Sequence, residues 1–358
     1  EDKKRDMVKN CGCELARPYV NDQTFTKMFN GYNFSYDLYS KTKDEYHKTK
    51  VQELFKKLYD NGYIYSGFWV DETEYANYVC LSVKDENTKN ETESKNAKWT
   101  YKALGGFYWA GCCVTDKYVI FGKDDGKKNS ENSSEIISLD KSTGKAASSL
   151  TVKGDIRSSV VYSAETASYY VSSKAGYVYK FSMDSSGKLG SLKTYTAPGA
   201  VTATPVVYNG RLYVGCQNGS AGKFIVLDAK TMKEIYTADM QGYPQASMLI
   251  STGYEQTSGK IYIYSTYNAK PGGITAFEDS QGQTTAIKNE LFIPEADMQQ
   301  FCISTISAGD NGTLYYKNDS GNIFALREGK TGIQSLLQKI IDGIKNIIAK
   351  IITLFNKK

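Results

Sequence analysis

The sequence predicts an all-β protein, a β-propeller of about six to eight four-stranded blades, with a helical N-terminal segment and a C-terminal amphipathic helix. The main observation is internal repetition. Short runs rich in aromatic and β-branched residues recur every 43 to 55 residues, each after a turn-forming dipeptide or polar turn. Six units are visible, with these positions taken as equivalent: Tyr65, Ile120, Tyr170, Tyr213, Tyr262 and Tyr315.

A second strand-like run follows the first one in every unit, after a Gly- or Asp-rich turn, as at 136–140 and 224–228. In two units a turn containing Lys and Thr comes next, at 141–145 and 230–233, and one more strand follows it. About four short strands in every 40 to 55 residues is the spacing of a propeller blade. The three- to four-residue apolar spacing of a helical solenoid is missing from these units.

The repeat resembles that of the PQQ-like β-propeller family over about residues 58–328. Within it, 105–111, 154–159 and 242–247 are similar to segments of secreted, surface-associated propellers of Gram-positive gut bacteria. The resemblance implies a propeller domain at 58–329 and an extracellular or cell-surface location. Relatives of this type usually have seven or eight blades, and propellers host many unrelated functions.

Residues 1–57 show no blade, and we expect them to be irregular or helical. The stretch 44–59 has helical periodicity. Four apolar side chains fall on one face of it: Val51, Leu54, Phe55 and Leu58. The segment either hides a degenerate blade, for example around 32–36, or belongs to a chain that lacks its start, which we favour.

Residues 330–358 carry the sharpest pattern in the chain, an amphipathic helix of about six turns. Its apolar face includes Ile333, Leu337, Ile340, Ile344, Ile348, Ile351 and Phe355, and lysines lie on the other face. Three roles are open for this helix: binding a membrane surface, pairing with a partner helix, or docking on the propeller.

Composition narrows the possible chemistry. His47 is the single histidine and lies in a charge-dense stretch, so we expect a surface residue rather than part of a catalytic pair. The net charge of +5 is mild and no basic block is interleaved with aromatics, which predicts no nucleic-acid partner. The chain also has no run of about 18 apolar residues.

The seven cysteines are too few and too scattered for a disulfide framework: Cys11, Cys13, Cys80, Cys112, Cys113, Cys216 and Cys302. We expect Cys80, Cys216 and Cys302 to be small buried residues in strands. The adjacent pair Cys112 and Cys113 resembles the vicinal cysteines of quinoprotein alcohol dehydrogenases. The calcium cage and catalytic Asp of such enzymes do not stand out, so we predict core packing, no cofactor, no metal and no enzymatic activity.

Asp124 and Asp125, followed by Gly126, form the other run that could bind a cation. Their spacing is not that of an EF-hand, so a long polar hairpin loop is the favoured interpretation and calcium binding the alternative.

The segments that lead into the innermost strands begin at similar distances before their anchor strands, so we expect them together at one mouth of the propeller. Candidate ligand-binding side chains there are Phe107, Tyr108, Trp109, Asp155, Arg157, Tyr243 and Gln245. Aromatic rings with a few polar groups suit a glycan or a protein. The alternative is that these side chains pack the propeller.

The sequence therefore favours a non-catalytic binding or scaffolding module at a bacterial cell surface. A PQQ-dependent dehydrogenase is the first alternative. A scaffold resembling the propeller lipoprotein of outer-membrane protein assembly is another. The chain shows no lipobox, and its resemblance to propellers of Gram-positive bacteria argues against this role.

Overall fold

The computed structural model describes residues 62–68, 70, 74–84, 89, 96–108, 111–125, 133–309 and 312–327. The chain divides into two compact units, one formed by Glu1–Ile64 with Ser82–Glu93 and the other by Tyr65–Leu81 with Ser94–Lys358. In the described part of the first unit, the Val83 amide donates to the Gly62 carbonyl at 3.3 Å. The second unit is a β-propeller.

Six sheets of the described residues form the propeller blades. The first contains β1 (Tyr63–Gly67), β2 (Tyr75–Ser82) and β3 (Trp99–Leu104). The second contains β4 (Cys113–Val114), β5 (Tyr118–Gly122), β6 (Ser133–Asp140) and β7 (Ala146–Lys153). The third contains β8 (Val161–Ser163), β9 (Ser168–Ser173), β10 (Tyr177–Met183) and β11 (Leu189–Thr196).

The fourth sheet contains β12 (Val206–Tyr208), β13 (Arg211–Asn218), β14 (Ala221–Asp228) and β15 (Glu234–Met240). The fifth contains β16 (Leu249–Ser251), β17 (Lys260–Tyr267), β18 (Gly273–Ser280) and β19 (Ile287–Phe292), with helix α1 (Glu255–Ser258) between its first two strands and a 3₁₀ turn (Ala296–Met298) after its last. The sixth contains β20 (Ser307–Ala308), β21 (Leu314–Lys317) and β22 (Ile323–Leu326).

Strands pair in chain order within each blade, which confirms the propeller predicted from the repeats. All six residues of β9 are buried, as are four consecutive residues of β14. Strands of this kind face a neighbouring blade on both sides, so they read as continuous apolar runs rather than as alternating patterns. The described residues supply four strands to each central blade and three to the first and sixth.

The core lies between successive blades. One cluster joins the first blade to the second through Tyr78, whose ring stacks on that of Phe121 with centroids 3.7 Å apart. The cluster between the fourth and fifth blades repeats the arrangement, with Phe224 stacked on Phe277 at 3.9 Å. Many of the aromatic residues therefore have a structural role in the core, because stacked rings bury large apolar areas.

A recurring hydrogen bond, which we call the closing contact, also joins successive blades. A side chain of one blade donates to a backbone carbonyl in the turn between the third and fourth strands of the next. We take one such contact at each of four successive interfaces: Trp99 to Lys141 at 2.9 Å, Tyr118 to Ser185 at 3.5 Å, Tyr170 to Ala229 at 2.7 Å and Arg211 to Gln283 at 2.8 Å. Each turn thereby covers the preceding blade.

The turns themselves are built by a local device. Asp140 Oδ1 accepts hydrogen bonds from the backbone amides and hydroxyls of Ser142 and Thr143, and Asp228 Oδ1 does the same for Thr231. These bonds hold the pKa of both carboxyl groups below the usual range. The Lys- and Thr-containing turns noticed in the sequence are Asp-capped turns.

Two details differ from the sequence predictions. The register pairs Leu249 with Tyr264, as it pairs Val206 with Tyr213, so Tyr264 rather than Tyr262 is the repeat equivalent in the fifth blade. The extra residues around α1 displace the repeat by two positions. Cys302 is buried as expected but lies between the 3₁₀ turn and β20 instead of in a strand, whereas Cys80 and Cys216 are buried in strands.

The predicted helices at 44–59 and 330–358 lie outside the described residues, as do His47 and all of segment 1–57. Within the part of the chain that is described, no helix is long and apolar enough to cross a membrane.

Candidate functional site

The segments that lead into the innermost strands share one backbone arrangement. In five blades, an amide at or just past the end of the second strand donates to a carbonyl of the leading segment at 2.8–2.9 Å, the acceptors being Gly106, Asp155, Ala200, Tyr243 and Phe301. The repeat therefore places these segments at the same end of their blades. We call the set 105–108, 154–159, 199–204, 242–247 and 300–303 the mouth segments.

A buried ionic cluster lies where the second blade meets the mouth segment of the third. Arg157 Nη2 is 3.1 Å from Asp124 Oδ2 and 3.2 Å from Asp155 Oδ2. Both carboxylates are fully buried, and the Arg157 side chain is 11% exposed. A guanidinium between two carboxylates satisfies charges whose burial would otherwise be costly.

Tyr108 covers this cluster. The Arg157 guanidinium carbon lies 4.5 Å from the centroid of the Tyr108 ring, within range of a cation–π contact. Tyr108 itself is half-buried, so the residue keeps some exposure to solvent. The cluster thus presents an aromatic surface whose position is set by buried charges beneath it.

Two further groups complete the cluster. The Asp125 amide donates to Asp155 Oδ1 at 3.1 Å. Lys123 Nζ donates to the Leu104 carbonyl at 3.2 Å and lies 3.8 Å from Glu135 Oε2. The contacts of Asp125 and Lys123 hold the chain after β5 against the neighbouring segments. This restricts the rotamers available to the charged side chains of the cluster.

Tyr243 belongs to a different part of the mouth segments. Its hydroxyl is 2.9 Å from Thr202 Oγ1, and burial raises its pKa to about 12. Thr204 Oγ1 accepts from the Ser159 amide at 3.0 Å. Threonines of one segment therefore link it to the mouth segments on both sides.

The structure separates the candidate ligand-binding residues into groups. Tyr108, Asp155 and Arg157 meet in the ionic cluster, while Tyr243 bonds to Thr202 and Gln245 is half-buried in the same mouth segment. Trp109 lies outside the described residues.

Phe107 is a correction to the sequence prediction. It is 4% exposed and packs edge-on against Tyr78 at 5.1 Å and Phe121 at 5.5 Å, so it fills the core between blades and presents no surface to a ligand.

Asp124 was missed as a site residue. It lies with Asp125 in the connection between β5 and β6, where the sequence favoured a polar hairpin loop, and the two residues are 0% and 7% exposed. The available signal was their position immediately after the apolar strand β5, at the end where the mouth segments lie. A carboxylate placed there needs a buried partner, and Arg157 provides it.

The described cysteines are free thiols, including the adjacent Cys112 and Cys113, which are half-buried. Burial raises the pKa of both thiols. Among the described residues, no group of three or more His, Cys, Asp or Glu side chains is placed to hold a metal ion.

Comparison with known families gives one match, to "tRNA synthetases class I (M)", over residues 14–88. A methionine–tRNA ligase of Clostridium tetani is 34% identical over 70 residues, which is 20% of this chain and 10% of the ligase. Methionine–tRNA ligase 1 of Alkaliphilus oremlandii is 46% identical over 52 residues, or 14% and 9% of the two chains. The chain thus spans about a tenth of the length of these curated relatives.

The match includes β1 and β2, whereas the five later sheets lie beyond it. This similarity was not predicted from the residue patterns. The available signal was the helical periodicity of 44–59, which differs from the strand repeats that follow it.

Among solved structures, the chain is similar to BamB from Moraxella catarrhalis, with 12% identity, a TM-score of 0.39, and 75% of this chain and 80% of that chain covered. It is also similar to quinohemoprotein alcohol dehydrogenase from Comamonas testosteroni, with 12% identity, a TM-score of 0.45, and 62% and 41% covered. Because both scores are low, the fold assignment rests on the sheet topology described above.

Proposed function

We propose that this propeller is a non-catalytic binding or scaffolding module that recognises a protein or a glycan at the mouth segments, on the outside of a bacterial cell. The observation that carries the proposal is the half-buried Tyr108 ring stacked on Arg157, which two buried carboxylates hold in place. A preorganised ring loses little conformational freedom on binding, which favours recognition.

The chemistry of the cluster supports a polar ligand with a flat or apolar face. An aromatic ring gives a stacking surface for a sugar ring or a peptide side chain, while hydroxyl and amide groups of the mouth segments offer directed hydrogen bonds. Thr202, Tyr243 and Gln245 are such groups, and each is at least partly buried.

The cell-surface location and the role of the C-terminal segment belong to the same proposal. The lysines and the isoleucine-rich face at 333–355 suit adsorption to an anionic membrane or association with a partner helix. Either contact would hold the propeller near a surface and leave its mouth segments available.

The test is binding of the purified full-length chain to a glycan array and to a phage-displayed peptide library. We expect a specific ligand whose affinity falls about 5- to 30-fold in Tyr108→Ala, because loss of a stacking ring costs about 1–2 kcal/mol. The matched control is Tyr162→Ala, which removes a 51% exposed ring of β8. Equal affinity of both variants and the unaltered chain for every ligand found would contradict the proposal.

The dehydrogenase alternative is tested with the same protein. Adding PQQ and calcium should give no bound-cofactor absorbance after gel filtration. Tight retention of the quinone would replace the binding proposal by an enzymatic one.

We do not extend methionine–tRNA ligation to this chain, because the matched stretch corresponds to about a tenth of those ligases.

A further inference from the structure

Three lysines meet where the third blade contacts the fourth. Lys180 of β10 pairs directly across the strands with Lys193 of β11. Lys180 Nζ donates to the Lys230 carbonyl at 2.9 Å, and Lys193 Nζ donates to the same oxygen at 3.3 Å. Because both bonds end on one oxygen, the two ammonium nitrogens lie no more than about 6 Å apart. We call Lys180, Lys193 and Lys230 the lysine cluster.

The propeller fold does not require charges at these positions. Lys180 also pairs with Tyr170 of β9, the repeat position of the third blade. In the other central blades, the residues of the third and fourth strands at the register of the repeat position are uncharged. These pairs are Ser138 with Ser148, Val226 with Tyr236, and Ala276 with Asn289. Like charges directly opposite each other destabilise a sheet, so the repeat itself does not explain why Lys180 faces Lys193.

The lysine cluster has no ion-pair partner among the described residues. Asp228 is near enough to attract Lys180, but its Oδ1 accepts hydrogen bonds from the amides of Lys230 and Thr231. Burial and the charges of Lys193 and Lys230 together lower the pKa of Lys180 in spite of Asp228. Excess positive charge therefore remains at this position of the surface.

The ammonium groups of the lysine cluster have hydrogen-bond donors to offer. Each ammonium carries three N–H donors. Within the described part of the chain, Lys180 and Lys193 each use one of them, at the Lys230 carbonyl. Lys193 and Lys230 are exposed and Lys180 is half-buried, so a solute can reach the cluster. A tetrahedral oxyanion presents several acceptor oxygens, and charge-assisted bonds to two ammonium groups at this spacing suit it.

The lysine cluster is separate from the mouth segments. The Gln217 amide at the end of β13 donates to the Ala200 carbonyl of a mouth segment. Strand β14 runs back antiparallel to β13, so the turn that follows it, which contains Lys230, lies at the opposite end of the fourth blade. A ligand at the lysine cluster therefore leaves the mouth segments free.

We propose that the lysine cluster binds a phosphate group, whose oxygens accept hydrogen bonds from Lys180 and Lys193 while Lys230 adds a third positive charge. The phosphate of a free ion and the phosphate of a polyanion share this chemistry, so both are tested. The proposal does not depend on what the mouth segments bind.

The experiment is titration calorimetry of the full-length chain with inorganic phosphate and with linear polyphosphate, at constant ionic strength. Two double variants remove the same charge from different places. Lys180→Gln with Lys193→Gln alters the lysine cluster, and Lys145→Gln with Lys317→Gln alters two exposed lysines elsewhere. We expect the first pair to weaken binding at least about tenfold, because two charge-assisted hydrogen bonds are lost, and the second to weaken it less than about twofold.

A conservative variant keeps the test informative if the first pair fails to fold. Lys180→Arg with Lys193→Arg retains both charges and should keep the affinity within about threefold. Tighter binding of polyphosphate per phosphate group would identify a polyanion as the source of the ligand, and equal affinities would identify the free ion. Failure of both probes to bind, or an equal loss in the two Gln variants, would overturn the proposal, because an equal loss reflects only the net charge of the protein.

Discussion

Two arginine–aspartate clusters in this propeller differ in what surrounds them. Arg211, between the fourth and fifth blades, bonds to both oxygens of Asp279 at 2.9 and 3.2 Å and to the Gln283 carbonyl at 2.8 Å, and Tyr213 donates to the same carboxylate at 2.7 Å. Arg157 bridges Asp124 and Asp155 under the half-buried Tyr108 ring. Both guanidinium groups have the same exposure, so burial alone does not distinguish them.

The difference is in the partners. The hydrogen bonds of the Arg211 cluster join two blades, because Asp279 and Gln283 belong to the blade that follows. The Arg157 cluster positions an aromatic surface at the mouth segments. A buried ion pair is therefore a weak indicator of function until its neighbours are examined.

The largest expected effect is on the Arg211 cluster. Asp279→Asn leaves a buried guanidinium without its counter-charge, and we expect a loss of about 3 kcal/mol in the free energy of unfolding. Chemical denaturation measures it. The control is Lys260→Gln, which breaks the more exposed pair with Glu278 and should cost less than about 1 kcal/mol. Similar losses in the two variants would show that the Arg211 cluster does not join the blades.

Arg157→Lys tests whether the Arg157 cluster depends on the shape of the guanidinium group or only on its positive charge. Arg157 Nη2 alone contacts both carboxylates, and a lysine keeps that charge but loses the planar group against the Tyr108 ring, so we expect a loss of about 1–2 kcal/mol in stability. Ligand affinity should fall further than in Asp279→Asn measured at a temperature where both variants are folded. A variant that lost stability but kept full affinity would show that the Arg157 cluster is structural, like the other one.

A packing prediction tests the link between the second blade and the mouth segment of the third. A Cβ at Gly122 would lie 2.0 Å from Ile156 Cγ2, so Gly122→Ala should destabilise the protein by about 1–3 kcal/mol. Ile156→Ala in the same chain removes the clashing Cγ2 and should cost less there than it does alone. Additive losses in the double variant, measured by thermal denaturation, would contradict the expected contact.

The smallest effect concerns pH. The folded-state pKa of Asp228 is depressed by hydrogen bonds from Thr231, so its contribution to stability is present above the unfolded-state pKa of about 3.9 and is lost as the pH falls through the folded-state value. Because the turn is exposed, Asp228→Asn should cost less than about 1 kcal/mol at pH 7. The variant and the unaltered chain should converge in Tm at low pH, and a constant difference across the pH range would oppose this interpretation.

The propeller could be predicted because its strands repeat with their turns, and each turn has local chemistry, such as the Asp140 cap, that a sequence displays directly. The candidate site was only partly predictable. The repeat indicated that Arg157 and Asp155 lie at a mouth segment, but the pairing of Arg157 with Asp124 depends on packing between residues 33 positions apart. Phe107 is an example of the opposite error. Its aromatic side chain suits a binding surface, and only its contacts with Tyr78 and Phe121 show that it lies in the core.

The closing contacts all have the same order of donor and acceptor along the chain. In each of them the donor belongs to the earlier blade and the acceptor turn lies 42 to 72 residues later. During synthesis from the amino end, a blade can form its closing contact only after the first three strands of the next blade have been made. Each closing contact joins residues of neighbouring blades, which are close in the sequence. Successive blades can therefore pack one after another, before more distant parts of the chain come into contact.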